Sequence, residues 1–365
     1  MNAYWVGLDD NQRDSSGAPT LPSHAKLTAT FSGISTMGAT LVRAHSVGIS
    51  AGTPRSFAPA PGTYVDANLD SADWAVYQAK RRGILLMVPL TDQWNYYHGG
   101  KGVFVHWAYQ RNSSGLVDVP APAHLFDADS AEKGSKIEDQ FYSVSAGGLR
   151  IRALFKDYVS HWLNHVNPYT GLAYKDDPTI AIVETGNELY SATSEWTEDI
   201  AAFIKTIAPT KLVADGSAAT GLAVADAPGL TASHIDIVGG HYYAQDANWA
   251  PAPIMVLAAQ LDRDVASARG AGKAFVLGEY PWTRADIGQW YAKVEGQTGI
   301  AADMTWSFVG GTEVHGGSFG GDDFPVHWPY SGAWEQQYAP ALARHISAVS
   351  GSAASSAAVV SVRAR

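Results

Sequence analysis

The feature that most limits the fold is an alternation running the length of the chain, in which short apolar segments are separated by amphipathic helical stretches. The strand-like segments are Ala3–Gly7, Thr40–Ala44, Ile84–Val88, Ile180–Thr185, Lys211–Ala214, Ile235–Gly239, Ala274–Leu277 and Met304–Phe308. Each is β-branched or apolar over several consecutive residues, as in strands buried on both faces. Helical periodicity covers Ser23–Met37, Ser71–Arg82, Leu149–Asn164, Ser194–Ile207, Pro253–Arg269, Ala285–Val294 and a closing Glu335–Val349. The fifth crossover, near Ala218–Ala227, reads as no more than a short turn of helix. Eight strands each followed by a crossover predict an α/β chain closed into a (β/α)8 barrel, the TIM barrel, rather than an open sheet. No Gly-x-Gly-x-x-Gly follows the first strand, which argues against a dinucleotide fold.

A barrel of this type takes about 250 residues and reaches 400 with loop insertions, so 365 residues fit one domain. We expect a catalytic domain over 1–349 and a low-complexity, disordered tail over 350–365, with no internal repeat. The longest interruption, Thr91–Gly148, follows strand three, and a second long loop, Val314–Trp328, follows strand eight. Both lie on the face where barrels carry their active sites.

Composition narrows the chemistry. The formal charge is −10 and no Lys/Arg run offers a basic face, so nucleic acid is not an expected partner; Lys80-Arg81-Arg82 instead complements the end of a helix. There is no cysteine, which removes thiolate nucleophiles and thiolate metal sites. No apolar run approaches the roughly 18 residues of a membrane span, and a monomer is expected. The 12 Trp and 17 Tyr cluster beside Gly, Asn, Asp and His, as in Trp94-Asn95-Tyr96-Tyr97-His98, which suits a flat, neutral ligand such as a sugar ring. There is no His-Glu-x-x-His. His315 and His327, flanking Asp322 and Asp323, form a weak cation candidate in the loop after strand eight.

Barrel enzymes place reacting groups at the carboxyl ends of strands. Strand four runs into Gly186-Asn187-Glu188 and strand seven into Gly278-Glu279-Tyr280, so two glutamates leave strands on opposing sides of the mouth. Glycosyl transfer needs such a pair: one carboxylic acid to protonate the leaving oxygen and one carboxylate to attack or to activate water. In that scheme the acid of the pair has its pKa raised by the negative charge of the other carboxylate. Arg43, ending strand two, would hold a neighbouring glutamate ionised. Asn187 is placed to hold a sugar hydroxyl. His45 reads either as a sugar contact or as a wall histidine, and Trp94, His98 and Trp282 as subsite linings. No metal or cofactor is needed.

With these residues in place the chain resembles glycoside hydrolase family 5, of clan A, in its β-mannanase and β-mannosidase branches. Gly186-Asn187-Glu188 is similar to the family's acid/base motif and Gly278-Glu279-Tyr280 to its nucleophile motif. Arg43 matches the arginine of strand two, His241 and Tyr243 the pair on strand six, and Trp306 the tryptophan flooring the cleaved sugar's site on strand eight. Trp94–Gly100, Asn167–Gly171 and Asp176–Ile180 resemble mannanase segments around strands three and four. The resemblance implies a retaining hydrolase of β-1,4-mannan or manno-oligosaccharides, with other β-glycans as alternative substrates and a non-catalytic sugar-binding barrel as the remote one. It also implies an extracellular enzyme, whereas Met1–Gly7 reads as a strand and not as a secretory leader, so a cytoplasmic location stays open.

Overall fold

The computed structural model describes residues 1–15, 19–94, 98–110, 138–218, 223–243, 254–281, 286–310, 326–328 and 333–356. A small antiparallel hairpin, β1 (Asp9–Arg13) with β2 (Pro19–Thr20), precedes α1 (His24–Thr36). Then come β3 (Leu41–Arg43), the single turn α2 (His45–Gly48), α3 (Asp70–Arg81), β4 (Leu85–Pro89), α4 (Lys101–Gln110), α5 (Ala146–Asn164), β5 (Ile180–Glu184) and α6 (Ser194–Ile207). The second half holds β6 (Leu212–Ala214), β7 (Ile237–His241), α7 (Ile254–Gly270), β8 (Ala274–Glu279), α8 (Ile287–Gly296), β9 (Ile300–Asp303), β10 (Phe308–Gly310), β11 (Val326–Trp328) and α9 (Ala333–Ser356).

Strands β3 to β9 form one parallel sheet in sequential order. The eighth position is filled by the start of the chain. Asn2 bridges Arg43 in parallel, with Arg43 N donating to Met1 O and Ala3 N to Arg43 O, both at 2.9 Å. On its other edge Asn2 N donates to Thr305 O at 3.0 Å and Phe308 N to Asn2 O at 2.8 Å. The ladder therefore falls at Met1–Ala3, earlier than the expected Ala3–Gly7. Tyr4 to Val6 are buried without being a strand: Trp5 Nε1 donates to Phe308 O and Tyr4 stacks on Trp306. Strand eight is likewise displaced. Its ladder with β8 is Ile300–Asp303, whose Ala-rich sequence carries little strand signal, and the expected Met304–Phe308 is its buried continuation. β7 ends at His241, two residues beyond expectation.

Helix starts follow the side chains that can cap them. Ser23, Ser145 and Thr193 each accept from a backbone N–H of the first turn of α1, α5 and α6, as capping predicts. Among the described residues the fifth crossover holds two 3-10 turns, Val224–Asp226 and Pro228–Leu230. The loop after strand three carries α4, which no helical period announced because Val103, Phe104, Val105, Trp107 and Ala108 are buried all round. In the loop after strand eight, β11 pairs in parallel with β10; His315, Asp322 and Asp323 lie outside the described residues. α9 runs to Ser356, past the expected end at Val349, because no proline follows Pro340 to stop it. Residues 357–365 lie outside the described residues.

The main core lies between sheet and helices. Inside the barrel a smaller layer of Met87, Ile182, Ala214, Ile237, Val276 and Met304 fills the lumen. The strand ends above that layer carry charge: Arg43, Glu184, His241 and Glu279 each close a strand.

Candidate active site

Glu279 is the last residue of β8 and His241 the last of β7. Glu188 follows β5 on a turn held by Leu189 N to Gly216 O (2.9 Å) and Asn187 N to Thr91 O (2.8 Å). Its backbone φ of 50° lies in the left-handed region, sparsely used by residues with a Cβ, and turns the side chain toward the barrel axis. One oxygen of Glu188, one of Glu279 and one ring nitrogen of His241 all lie within 4.8 Å of one another.

Each carboxylate is held at both ends. Glu188 accepts from Trp94 Nε1 at 2.7 Å and bonds His241 Nδ1 at 2.8 Å. Glu279 accepts from Arg43 Nη1 at 2.6 Å and from the Tyr243 hydroxyl at 2.8 Å, with His241 Nδ1 at 3.6 Å. The side chains keep 10% and 6% of their surface open, whereas Arg43 and His45 keep none. The expected pair is thus brought together facing the cleft. Arg43 and His45 support it from beneath.

Burial pushes Glu279 up, and although His241, Arg43 and Tyr243 oppose it, Glu279 stays above the ordinary glutamate value. Burial also pushes Glu188 up, but the donors His241 and Trp94 outweigh it and hold Glu188 below that value. This corrects the expectation that the charge of Glu279 raises Glu188. His241 is raised: burial works against its charge, and Glu279 and Glu188 more than restore it. His45 is kept neutral by burial and by the nearby charge of Arg43. Its Nε2 lies 2.7 Å from Arg43 Nη1 and accepts from it, so the ring proton sits on Nδ1, facing Asp92 Oδ2 at 4.0 Å.

A family model described as GH family 5 beta-mannosidase-like matches residues 2–338. The chain belongs to that family. Among curated relatives of this family 5 chain, "Putative mannan endo-1,4-beta-mannosidase P" of Arabidopsis thaliana is 27% identical over 59% of this chain and 46% of its own length. "Mannan endo-1,4-beta-mannosidase 1" of Solanum lycopersicum is 26% identical over 57% and 45%. The chain thus spans about half the length of the curated relatives it matches. The solved glycoside hydrolase family 5 mannosidase from Rhizomucor miehei, in a variant bound to mannosyl-fructose, superposes with a TM-score of 0.73 at 20% identity, over 96% of this chain and 93% of that one. The endo-beta-1,4-mannanase from Thermotoga petrophila gives 0.70 at 21% identity, over 95% and 75%. Both likenesses establish the barrel.

Of the other expected residues in this family 5 site, Trp94 and Tyr243 are half-buried at its edge, and Trp306 is buried against Tyr4 with centroids 5.0 Å apart. Asn187 is held at both ends of its amide, accepting from Arg43 Nη2 at 2.7 Å and donating to Asp92 at 3.1 Å. His98 is fully buried, and its carbonyl accepts from Ala51 N. Trp282 lies outside the described residues. Sequence reasoning missed Glu184 and Asp92. Glu184 forks onto Arg43 at 2.8 and 3.0 Å; Asp92 accepts from Trp94 N and from Asn187. Both stand at or just past strand ends, the signal that singled out Glu279, but neither sits in a motif.

Proposed function

We propose that the protein is a retaining glycoside hydrolase that cleaves β-1,4-linked mannan or manno-oligosaccharides by double displacement. The observation that carries this reading is the meeting of Glu188 and Glu279 across the barrel mouth, one oxygen of each within 4.8 Å. Retaining enzymes hold their carboxyls about 5–5.5 Å apart and inverting ones about 6.5–9.5 Å, so the spacing supports the retaining course. The substrate class is supported by the family and by the names of its curated relatives.

In the first step Glu279 attacks the anomeric carbon while Glu188 gives a proton to the glycosidic oxygen. In the second, Glu188 takes a proton from the water that releases the sugar. Glu188 is held below the ordinary value in the free site, so it must gain its proton as substrate excludes water. The 2.8 Å hydrogen bond to His241 orients the carboxyl that carries it. Arg43 and the Tyr243 hydroxyl keep Glu279 aimed at the sugar.

Reducing-sugar release from β-1,4-mannan tests the reading, with cellulose and galactan as controls. Turnover of mannan well above both controls is expected; turnover of a control alone would overturn the substrate, and turnover of none would overturn the activity. Products from mannohexaose then separate internal from terminal cleavage.

A further inference from the structure

Arg43 carries one positive charge and meets two buried carboxylates. Its Nε and Nη2 donate to the two oxygens of Glu184 at 2.8 and 3.0 Å, and its Nη1 donates to Glu279 at 2.6 Å. The side chains of Arg43 and Glu184 are 0% and 3% exposed, so water screens neither. A two-bond fork to a carboxylate is among the strongest charge-assisted pairings and fixes the guanidinium plane. Glu184 therefore takes the larger share of Arg43, although it closes β5 behind the cleft and Glu279 faces it.

We infer that Glu184 is a positioning residue of the reaction: it fixes Arg43 in a fork and shares its charge, so that Arg43 anchors Glu279 without weakening it as a nucleophile. The inference rests on the reading of Glu279 as nucleophile. The groups facing Glu279 are Arg43 from the end of β3, neutral His45 from α2, Glu184 and Glu188 from β5 and the turn after it, His241 from the end of β7, Tyr243 just past it, and Tyr190 beyond Glu188. Asp92, after β4, acts through Arg43. Glu184 and Glu279 carry like charge and share one guanidinium, so each limits the hold of Arg43 on the other. Without the charge of Glu184, Arg43 and His241 would bear on Glu279 less opposed. Glu279 would then be a weaker base, ionised down to a lower pH and slower to attack.

The test measures kcat and kcat/KM against pH on mannohexaose for the wild type, Glu184→Gln, Glu184→Asp and Glu279→Ala. Glu184→Gln keeps the shape and removes the charge. Its acidic limb is expected to move down by about one pH unit, the order of a buried charge pair a few ångströms apart, with kcat reduced about tenfold. Glu184→Asp keeps the charge on a shorter arm, so its kcat falls while its limb stays within about 0.3 unit of the wild type. An unmoved or raised limb in Glu184→Gln overturns the inference, as does a limb in Glu184→Asp lowered by a full unit. If melting curves show that Glu184→Gln does not fold, the limb of Glu184→Asp decides alone. Glu279→Ala keeps the two readings apart. If it is inactive while the limb of Glu184→Gln stands still, only the inference fails; if it is active, the nucleophile assignment fails first.

Discussion

Glu188 occupies a backbone conformation that costs energy for any residue with a Cβ, and such positions persist where the surroundings hold them in place. Here Trp94, His241 and the Gly216 contact do so. If Glu188 is the acid/base, Glu188→Ala loses about 10²–10⁴-fold in kcat on an oligosaccharide, whose leaving group needs a proton. On an aryl mannoside with a good leaving group the glycosyl-enzyme still forms, and added azide takes the place of the activated water. A β-configured mannosyl azide is the expected product, identified by NMR. Its absence, with unchanged hydrolysis of the oligosaccharide, would contradict the role.

The element that aims Glu188 depends on backbone packing too tight for any side chain. Gly216, just past β6, lies against the backbone of Gly186, and a Cβ there would overlap it. Gly216→Ala should push the Gly186–Glu188 turn outward and lower kcat by about 10²-fold, because misplacement of about 1 Å has that effect. Kinetics and a melting curve check this; unchanged kcat would show that the turn has slack. At the other end of the chain His345 fastens α9 to the barrel, bonding Asp303 at 3.0 Å and Glu295 at 2.8 Å. Burial opposes the charge of His345, but these carboxylates prevail and raise its pKa above 6.5. Its contribution is therefore fully present below that unfolded value and is lost as pH rises through the raised folded value. His345→Gln should melt about 2–5 °C below the wild type at pH 6, a gap that narrows toward pH 9. A gap that widens with pH would reverse the sign. Legibility followed the same physics. α6 was readable end to end because Thr193 caps a clean amphipathic period, while α4 was not, since its residues are buried on every side. The expected ladders missed Met1–Ala3 and Ile300–Asp303 because the strongest apolar signal, Tyr4–Val6 and Met304–Phe308, belongs to the buried segments that follow them.

At the scale of the whole molecule, a parallel barrel closed by Asn2 carries a layer of apolar side chains in its lumen and a layer of charge directly above it. Regular alternation made that architecture readable, and the rule that strand ends bear the chemistry picked out Glu188 and Glu279. The rule could not rank the acids at those ends. Glu184 and Asp92 look like any strand-terminal carboxylates until the fold shows that they hold Arg43 and Asn187. Nor could it say which of two close glutamates is held below the ordinary value, since that depends on where His241 and Trp94 donate. The central claim is that Glu279 bonds covalently to the sugar. Incubation with a 2-deoxy-2-fluoro-β-mannosyl fluoride, followed by peptide mass spectrometry, tests it most directly. A single fluoromannosyl adduct on the peptide carrying Glu279 is predicted; an adduct on another residue, or turnover with inversion and no adduct, would contradict the account.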